Sequence, residues 1–340
     1  MKRTPLFIIT VILLLLAPMV LAAEEVVINA VGDIMLAGRW TAAIRKKGYD
    51  FPFGGTTAEL ARGDINLANL ESPIARGGSE FSGKKYRFRA EPQLAQAMRT
   101  AGFNLVTLAN NHSMDFGGQA LTETMLHLRG AGIDWIGAGD YLSEARKFAL
   151  STIKGAKIAF LGYSLTQPLE FFATAQRPGT APGWEKNFME DIARARQAAD
   201  YVIVSFHWGK EGSSAAQSYQ RTVAHRAVDA GADVIIGHHP HVLQGVERYR
   251  GGIIFYSLGN FAFASIGRTA EFGALVRLRL NGTSREAEIL PLDVLNSRVH
   301  FQPQLLSGRR ALGVIGNLNL LSKPFNTEIL SRDGRYCIPF

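Results

Sequence analysis

The sequence predicts an α/β fold, and two observations carry the prediction. Short β-branched runs alternate with helix-like stretches along most of the chain, the order that builds one or two mainly parallel sheets covered by helices. The strongest polar motifs fall directly after those runs, at the edge where the loops leaving parallel strands converge on ligands.

In chain order, residues 1–23 read as an export signal. Lys2 and Arg3 form a positive n-region, Leu6 to Val20 is almost unbroken apolar, and Val20-Leu21-Ala22-Ala23 offers small residues for cleavage. The mature protein is therefore expected in the periplasm or outside the cell, with an uncleaved membrane anchor as the alternative. Strands are expected at Val26 to Val31, Ile65 to Asn69, Leu105 to Leu108, Ile133 to Ile136, Lys157 to Gly162, Tyr201 to Phe206, Val234 to Ile236 and Ile253 to Tyr256. Between them, Gln93 to Ala101, Gly118 to Ala131, Met189 to Ala198 and Ala215 to Ala230 have helical character. Glu271 to Leu280 and Ala287 to Leu292 have no helix between them and read as antiparallel strands completing a sheet. Residues 24–296 form the expected domain. Residues 297–340, punctuated by Gly, Asn and Ser, read as a loosely attached extension.

Composition narrows the chemistry. With 47% hydrophobic and 19% charged residues among 340, the chain can bury a large core without covalent staples. Cys337 is the single cysteine, so an intramolecular disulfide is impossible and histidine, carboxylate and amide side chains must supply any metal ligands. The net charge of +8 points mildly to an anionic partner. Apart from the one short run at 84–89, basic and aromatic residues are not interleaved as in nucleic-acid modules, so nucleic acid is not the expected partner.

The densest motif is GHHPH at 237–241, directly after an apolar strand. Imidazole is the commonest protein ligand for zinc-class metals, and His239 and His241, two apart, would project to one side of extended backbone. Other candidates stand at other strand ends: Gly32-Asp33 after the first, Asn69-Leu70-Glu71 after the second, Asn110-Asn111-His112 after the third, and His207-Trp208-Gly209 after Tyr201 to Phe206. Asp115, three residues beyond His112, is suited to orient that imidazole. Glu211 could do the same for His207 or add a ligand, and Trp208 could line the pocket or pack in the core. The run Gly83-Lys84-Lys85-Tyr86-Arg87-Phe88-Arg89 would, if extended, place Lys85, Arg87 and Arg89 on one face and Tyr86 and Phe88 on the other. That face could track carboxylates or phosphates, or be a solvated strand surface.

The series GD (32–33), NLE (69–71), NNHSMDFG (110–117), HWGKE (207–211), GHHPHVLQG (237–245) and SLGNF (257–261) resembles the bacterial capsule synthesis proteins. These are the CapA or poly-gamma-glutamate branch of the calcineurin-like metallophosphoesterases. The resemblance runs from about Val26 to Phe263 and implies an αββα four-layer sandwich with a divalent metal site, of Mn, Fe or Zn, at the strand ends. Carried over, it makes Asp33 and His241 ligands of a first metal, Glu71 the bridging carboxylate, and Asn111, His207 and His239 ligands of a second. His112 would contact a substrate oxyanion or protonate a leaving group. In the superfamily a histidine usually stands two residues after the first aspartate, where this chain has Met35, and a thioether is a poor ligand for such metals.

The resemblance implies capsule or poly-gamma-glutamate biosynthesis, with an anionic envelope polymer or a phosphoester as substrate and a membrane-bound polymer synthase as a partner. Two readings follow. In one, the site hydrolyses a phosphoester or a polymer bond; in the other, the fold handles or anchors an anionic polymer during export without catalysis.

Overall fold

The structure is a computed structural model and describes residues 24–264, 270–282 and 284–340. The expected export signal, residues 1–23, lies outside the described residues. The first half of the chain forms β1 (Val26–Met35), β2 (Ile65–Leu70), α1 (Gln93–Ala101), β3 (Leu105–Thr107), α2 (Gly117–Ala131) and β4 (Asp134–Ile136). Then follow β5 (Ala149–Ile153), β6 (Ala156–Ser164), α3 (Glu185–Ala198), β7 (Tyr201–His207), α4 (Ser218–Asp229) and β8 (Val234–His238). The remainder forms β9 (Val246–Tyr249), β10 (Gly252–Phe255), β11 (Asn260–Phe263), β12 (Phe272–Asn281), β13 (Ser284–Asp293), α5 (Gly308–Ser322), β14 (Leu330–Arg332) and β15 (Arg335–Pro339).

Two sheets result. The first runs β14-β15-β13-β12-β1-β2-β3-β4, with β11 also paired to β1. Its β1 to β4 half is parallel, while β12, β13, β15 and β14 are antiparallel, as the missing helix between β12 and β13 predicts. The second sheet runs β9-β10-β8-β7-β6-β5; β6, β7, β8 and β10 are parallel and only its edge strands are antiparallel.

Strand alternation sorts the side chains into three large apolar clusters among the described residues. Ile28 and Ala30 of β1 and Val234 and Ile236 of β8 meet between the sheets. On the outer face of the first sheet, Leu94 and Met98 of α1 pack with Leu121 and Leu128 of α2; on that of the second, Phe188 and Ile192 of α3 pack with Ala224 and Ala227 of α4. The order is helices, sheet, sheet, helices, the four-layer sandwich expected.

The region after Ser297 is not loosely attached. β15 pairs with β13, burying Cys337 and Ile338, and Val314, Ile315 and Leu318 of α5 enter the cluster between the sheets. Ser307 and Asn326 stand at helix ends and Gly334 in a turn, while Gly313, Gly316, Asn317 and Asn319 lie inside α5.

Candidate metal centre

Every parallel strand that carries a motif delivers it to the same end of the sandwich. Asp33 lies in β1 beyond a shift of its register with β2, and Gly32 before it lets β1 approach the SLGN turn: a Cβ there would meet the Gly259 carbonyl oxygen at 1.9 Å. Glu71 follows β2. After β3 the chain turns sharply, and Asn110 organises the turn. Its Oδ1 accepts the His112 and Ser113 N–H groups at 3.0 and 2.9 Å, while its Nδ2 donates to Asn69 Oδ1 at 3.0 Å and the Leu70 carbonyl at 2.9 Å. His207 ends β7, and His238 ends β8 in register with it.

His239 and His241 do not sit in extended backbone. Their φ angles are 94° and 58°, the left-handed region that β-carbon-bearing residues avoid. The strand stops at His238, and Pro240 separates the two residues, so both reach the site from a tight turn. Strain of this kind, of order 1–3 kcal/mol per residue, persists where surrounding structure over-determines it.

The ligand-type atoms form interlocking groups. Asp33, Glu71 and His241 make one set, Glu71, His207 and His239 a second, and Glu211, His239 and His241 a third, with all ligand atoms of a set within 4.8 Å of one another. Glu71 belongs to two of them, the geometry of a shared carboxylate. His241 Nδ1 is 3.1 Å from Asp33 Oδ2, and His207 Nε2 is 3.5 Å from Glu71 Oε1 and 2.8 Å from Asn111 Oδ1. Buried Glu71 Oε1 and His239 Nδ1 have no hydrogen-bond partner among the described residues, so the donor set suits a divalent cation, which would satisfy both.

Electrostatics favour the metal-ready form at Asp33, His207 and His239 but the protonated form at Glu71 and His241, whose protons a bound cation would displace. Burial raises the Asp33 carboxyl, but His238 and His241 overcome it and hold the group well below the ordinary carboxylate range. Burial pushes Glu71 well above that range, against the attraction of His241 and with the repulsion of Asp33. Burial and neighbouring His239 hold His207 well below its ordinary value, and burial with His241 lowers His239 to about 3, so both keep a free lone pair at neutral pH. Burial opposes a charge on His241, but Glu71 and Asp33 prevail and raise it to about 9.

Beside this cluster, His112 Nδ1 is 2.6 Å from Asp115 Oδ2, as the three-residue spacing anticipates. Lys84, rather than its neighbours in the basic run, reaches in beside them. Its ammonium donates to Asp115 Oδ1 at 2.7 Å and to the Asn111 carbonyl oxygen, and lies 3.0 Å from His112 Nδ1. Alternation along the basic run could not reveal this, because the segment is not a strand.

The expected basic stripe changes accordingly, and for Trp208 and Glu211 the structure favours the second of the two roles each could have, core packing and a place among the ligand-type groups. Lys85, Arg87 and Arg89 do not form a stripe: Arg87 pairs with Glu80 at 3.0 Å, Arg89 lies over the Phe116 ring at 4.2 Å, Lys85 is exposed, and Tyr86 is 62% exposed rather than buried. The Phe81 and Phe88 N–H groups, which a strand would donate to a neighbour, go instead to the Asp115 carbonyl and carboxylate, both at 2.9 Å. Trp208 does not line the pocket; it is fully buried, donates to the Tyr256 carbonyl at 2.9 Å and stacks on Phe206. Glu211 does not orient His207, whose Nδ1 faces Asn69 Nδ2 at 3.3 Å; it stands exposed at the rim with His239 and His241.

The chain is similar to several known proteins. A family model described as bacterial capsule synthesis protein PGA_cap matches residues 27–265. Capsule biosynthesis protein CapA of Bacillus anthracis is 32% identical over 280 residues, covering 80% of this chain and 68% of that protein. PGA biosynthesis protein CapA of Bacillus subtilis (strain 168) is 35% identical over 269 residues, covering 78% and 70%. Among solved structures, the NAD nucleotidase NadN of Haemophilus influenzae superposes with a TM-score of 0.46 at 13% identity, covering 86% of this chain and 63% of that one.

Proposed function

The chain belongs to the bacterial capsule synthesis protein family PGA_cap, and from that premise we propose that it is an exported, metal-dependent hydrolase of capsule or poly-gamma-glutamate biosynthesis. Its target is a phosphoester or a bond of an anionic envelope polymer. The observation that carries this is the sharing of Glu71 between two buried ligand sets, with the His112–Asp115 pair alongside.

Asp33, Glu71 and His241 would hold one ion and Glu71, Asn111, His207 and His239 the other. Bound there, Mn, Fe or Zn supplies a hydroxide nucleophile at neutral pH and neutralises charge on the attacked centre. The chain's own residues do the rest. Asp115 holds the His112 Nδ1 proton, which leaves Nε2 to meet a substrate oxyanion or pass a proton to the leaving group. Lys84 compensates the Asp115 charge and fixes the Asn111 backbone, and Glu211 at the rim orders a substrate or ligand from outside.

The second reading, polymer handling without turnover, is favoured by Met35. It lies buried in the apolar core, and among the described residues the first position is left with the three carboxylate and histidine ligands Asp33, Glu71 and His241. In that reading exposed Lys85 and the neighbouring Arg87 and Arg89 meet an anionic polymer such as poly-gamma-glutamate near a membrane-bound synthase.

Elemental analysis of the mature protein, purified without a histidine tag, separates the two when paired with assays on a phosphomonoester and a phosphodiester. Near two metals per chain, with turnover lost in His239→Ala and His241→Ala while both stay folded, is the expected result. A folded wild type without metal or turnover overturns the hydrolase reading and leaves polymer binding.

A further inference from the structure

His238, the first histidine of the GHHPH cluster, is fully buried, yet neither ring nitrogen has a well-formed hydrogen bond among the described residues. Leaving a buried polar group unsatisfied costs roughly 1–3 kcal/mol, so an imidazole where an apolar side chain would be cheaper needs a reason. Strand alternation accounts for its direction. Val234 and Ile236 face the cluster between the sheets, and His238, two residues further along β8, turns the same way at its upper end. There its Nδ1 lies 3.1 Å from Asp33 Oδ1, a contact between the two sheets that is short enough for a hydrogen bond but off its best axis.

His238 is not placed as a ligand. Among the described residues it belongs to none of the three ligand sets, so it stands behind Asp33 rather than beside the ions. Asp33 is otherwise held by Asn69 Nδ2 at 2.8 Å on Oδ1 and by the His239 N–H at 3.2 Å on Oδ2, the oxygen that faces His241. The first position depends heavily on that orientation. Met35, two residues on, offers only a thioether packed in the core, which leaves Asp33, Glu71 and His241.

We propose that His238 is a positioning residue for the first metal position: its Nδ1–H holds Asp33 Oδ1 so that Oδ2 faces the ion, offsetting the ligand that Met35 does not supply. This rests on the reading that the centre binds divalent metal. A partner behind a ligating group fixes its orientation, and losing one typically weakens metal binding by roughly 10–100-fold.

The test is calorimetric titration with Mn²⁺ of metal-stripped wild type, His238→Leu and His238→Asn, with folding checked by circular dichroism. Leucine fills the space without a donor; asparagine keeps an N–H near the Nδ1 position. Expected is a roughly 10–100-fold weakening of one binding step in His238→Leu with the other step unchanged, and His238→Asn within a few-fold of wild type. Wild-type affinities in His238→Leu overturn the proposal, and so does equal weakening in both variants, which would make volume rather than the donor decisive. If His238→Leu does not fold, His238→Gln, whose amide lies beyond the Nδ1 position, replaces it and must weaken where asparagine does not. A wild type that binds no Mn²⁺ defeats the metal reading itself, a result distinct from wild-type binding that the substitutions leave untouched.

Discussion

Lys84 Nζ lies 2.7 Å from Asp115 Oδ1, and this ion pair joins an irregular segment before α1 to the turn that carries Asn111 and His112. Asp115 is fully buried and the Lys84 side chain is 14% exposed, so each needs the other: burial alone lowers the Lys84 ammonium from its ordinary value.

Removing that charge should therefore be expensive. Lys84→Met leaves a buried carboxylate uncompensated, and breaking a buried pair from one side costs about 3–5 kcal/mol. Urea unfolding should show a midpoint shift that, multiplied by the m-value, amounts to that loss, and a loss below about 1 kcal/mol would mean that Asp115 finds other compensation.

Trp208 gives the opposite pattern. Trp208→Phe loses the indole N–H to the Tyr256 carbonyl and part of the stack on Phe206, a destabilisation of about 1–3 kcal/mol, while the indole belongs to none of the ligand sets. Metal content should match wild type, and a large fall would return Trp208 to the site.

Stripping metal should destabilise the protein. Asp33 and Glu71 are both fully buried, and an ion between them stabilises only the folded chain, by about 2.7 kcal/mol at a hundredfold excess over Kd. A chelator should lower Tm in wild type and leave the Tm of Asp33→Ala or Glu71→Ala unchanged, since these variants should already lack bound metal. Full metal content in both folded variants would remove the centre.

The C-terminal segment should show in the acid limb of stability. Burial raises the Asp293 carboxyl, but Arg298, bonded to both its oxygens at 2.8 and 3.0 Å, and Arg310 of α5 overcome it and lower the pKa. A depressed folded-state pKa contributes stability that is present above the unfolded value, about 3.9, and is lost as pH falls through the folded one. Wild type should lose its margin over Asp293→Asn below about pH 4, and a constant margin down to pH 2 would show that the pairs contribute nothing through charge.

Much of the fold was legible from local signals. The periodicity that marks Gln93–Ala101 as a helix and Tyr201–His207 as a strand is written within each element, and the polar residues at the ends of β1, β2, β3, β7 and β8 share an edge because parallel strands end on the same side. The basic run misled because its alternation is real while its backbone is not extended: Asp115, 27 residues further on, takes the Phe88 N–H that a strand would use for pairing. The tail misled for the complementary reason, since its partner strand, β13, lies more than 40 residues earlier.

By itself, then, the sequence determined the α/β class, the strand ends that carry the candidate ligands and the absence of a second cysteine, all properties of single residues or of one element's period. Only the tertiary structure decided that His239 and His241 reach the centre from left-handed turns, that Lys84 rather than Lys85 enters it, and that His238 bears on Asp33 across 205 residues of chain. Each of these depends on a contact between distant segments, where burial sets the cost of an unpaired group and the nearest available partner, not the nearest in sequence, meets it.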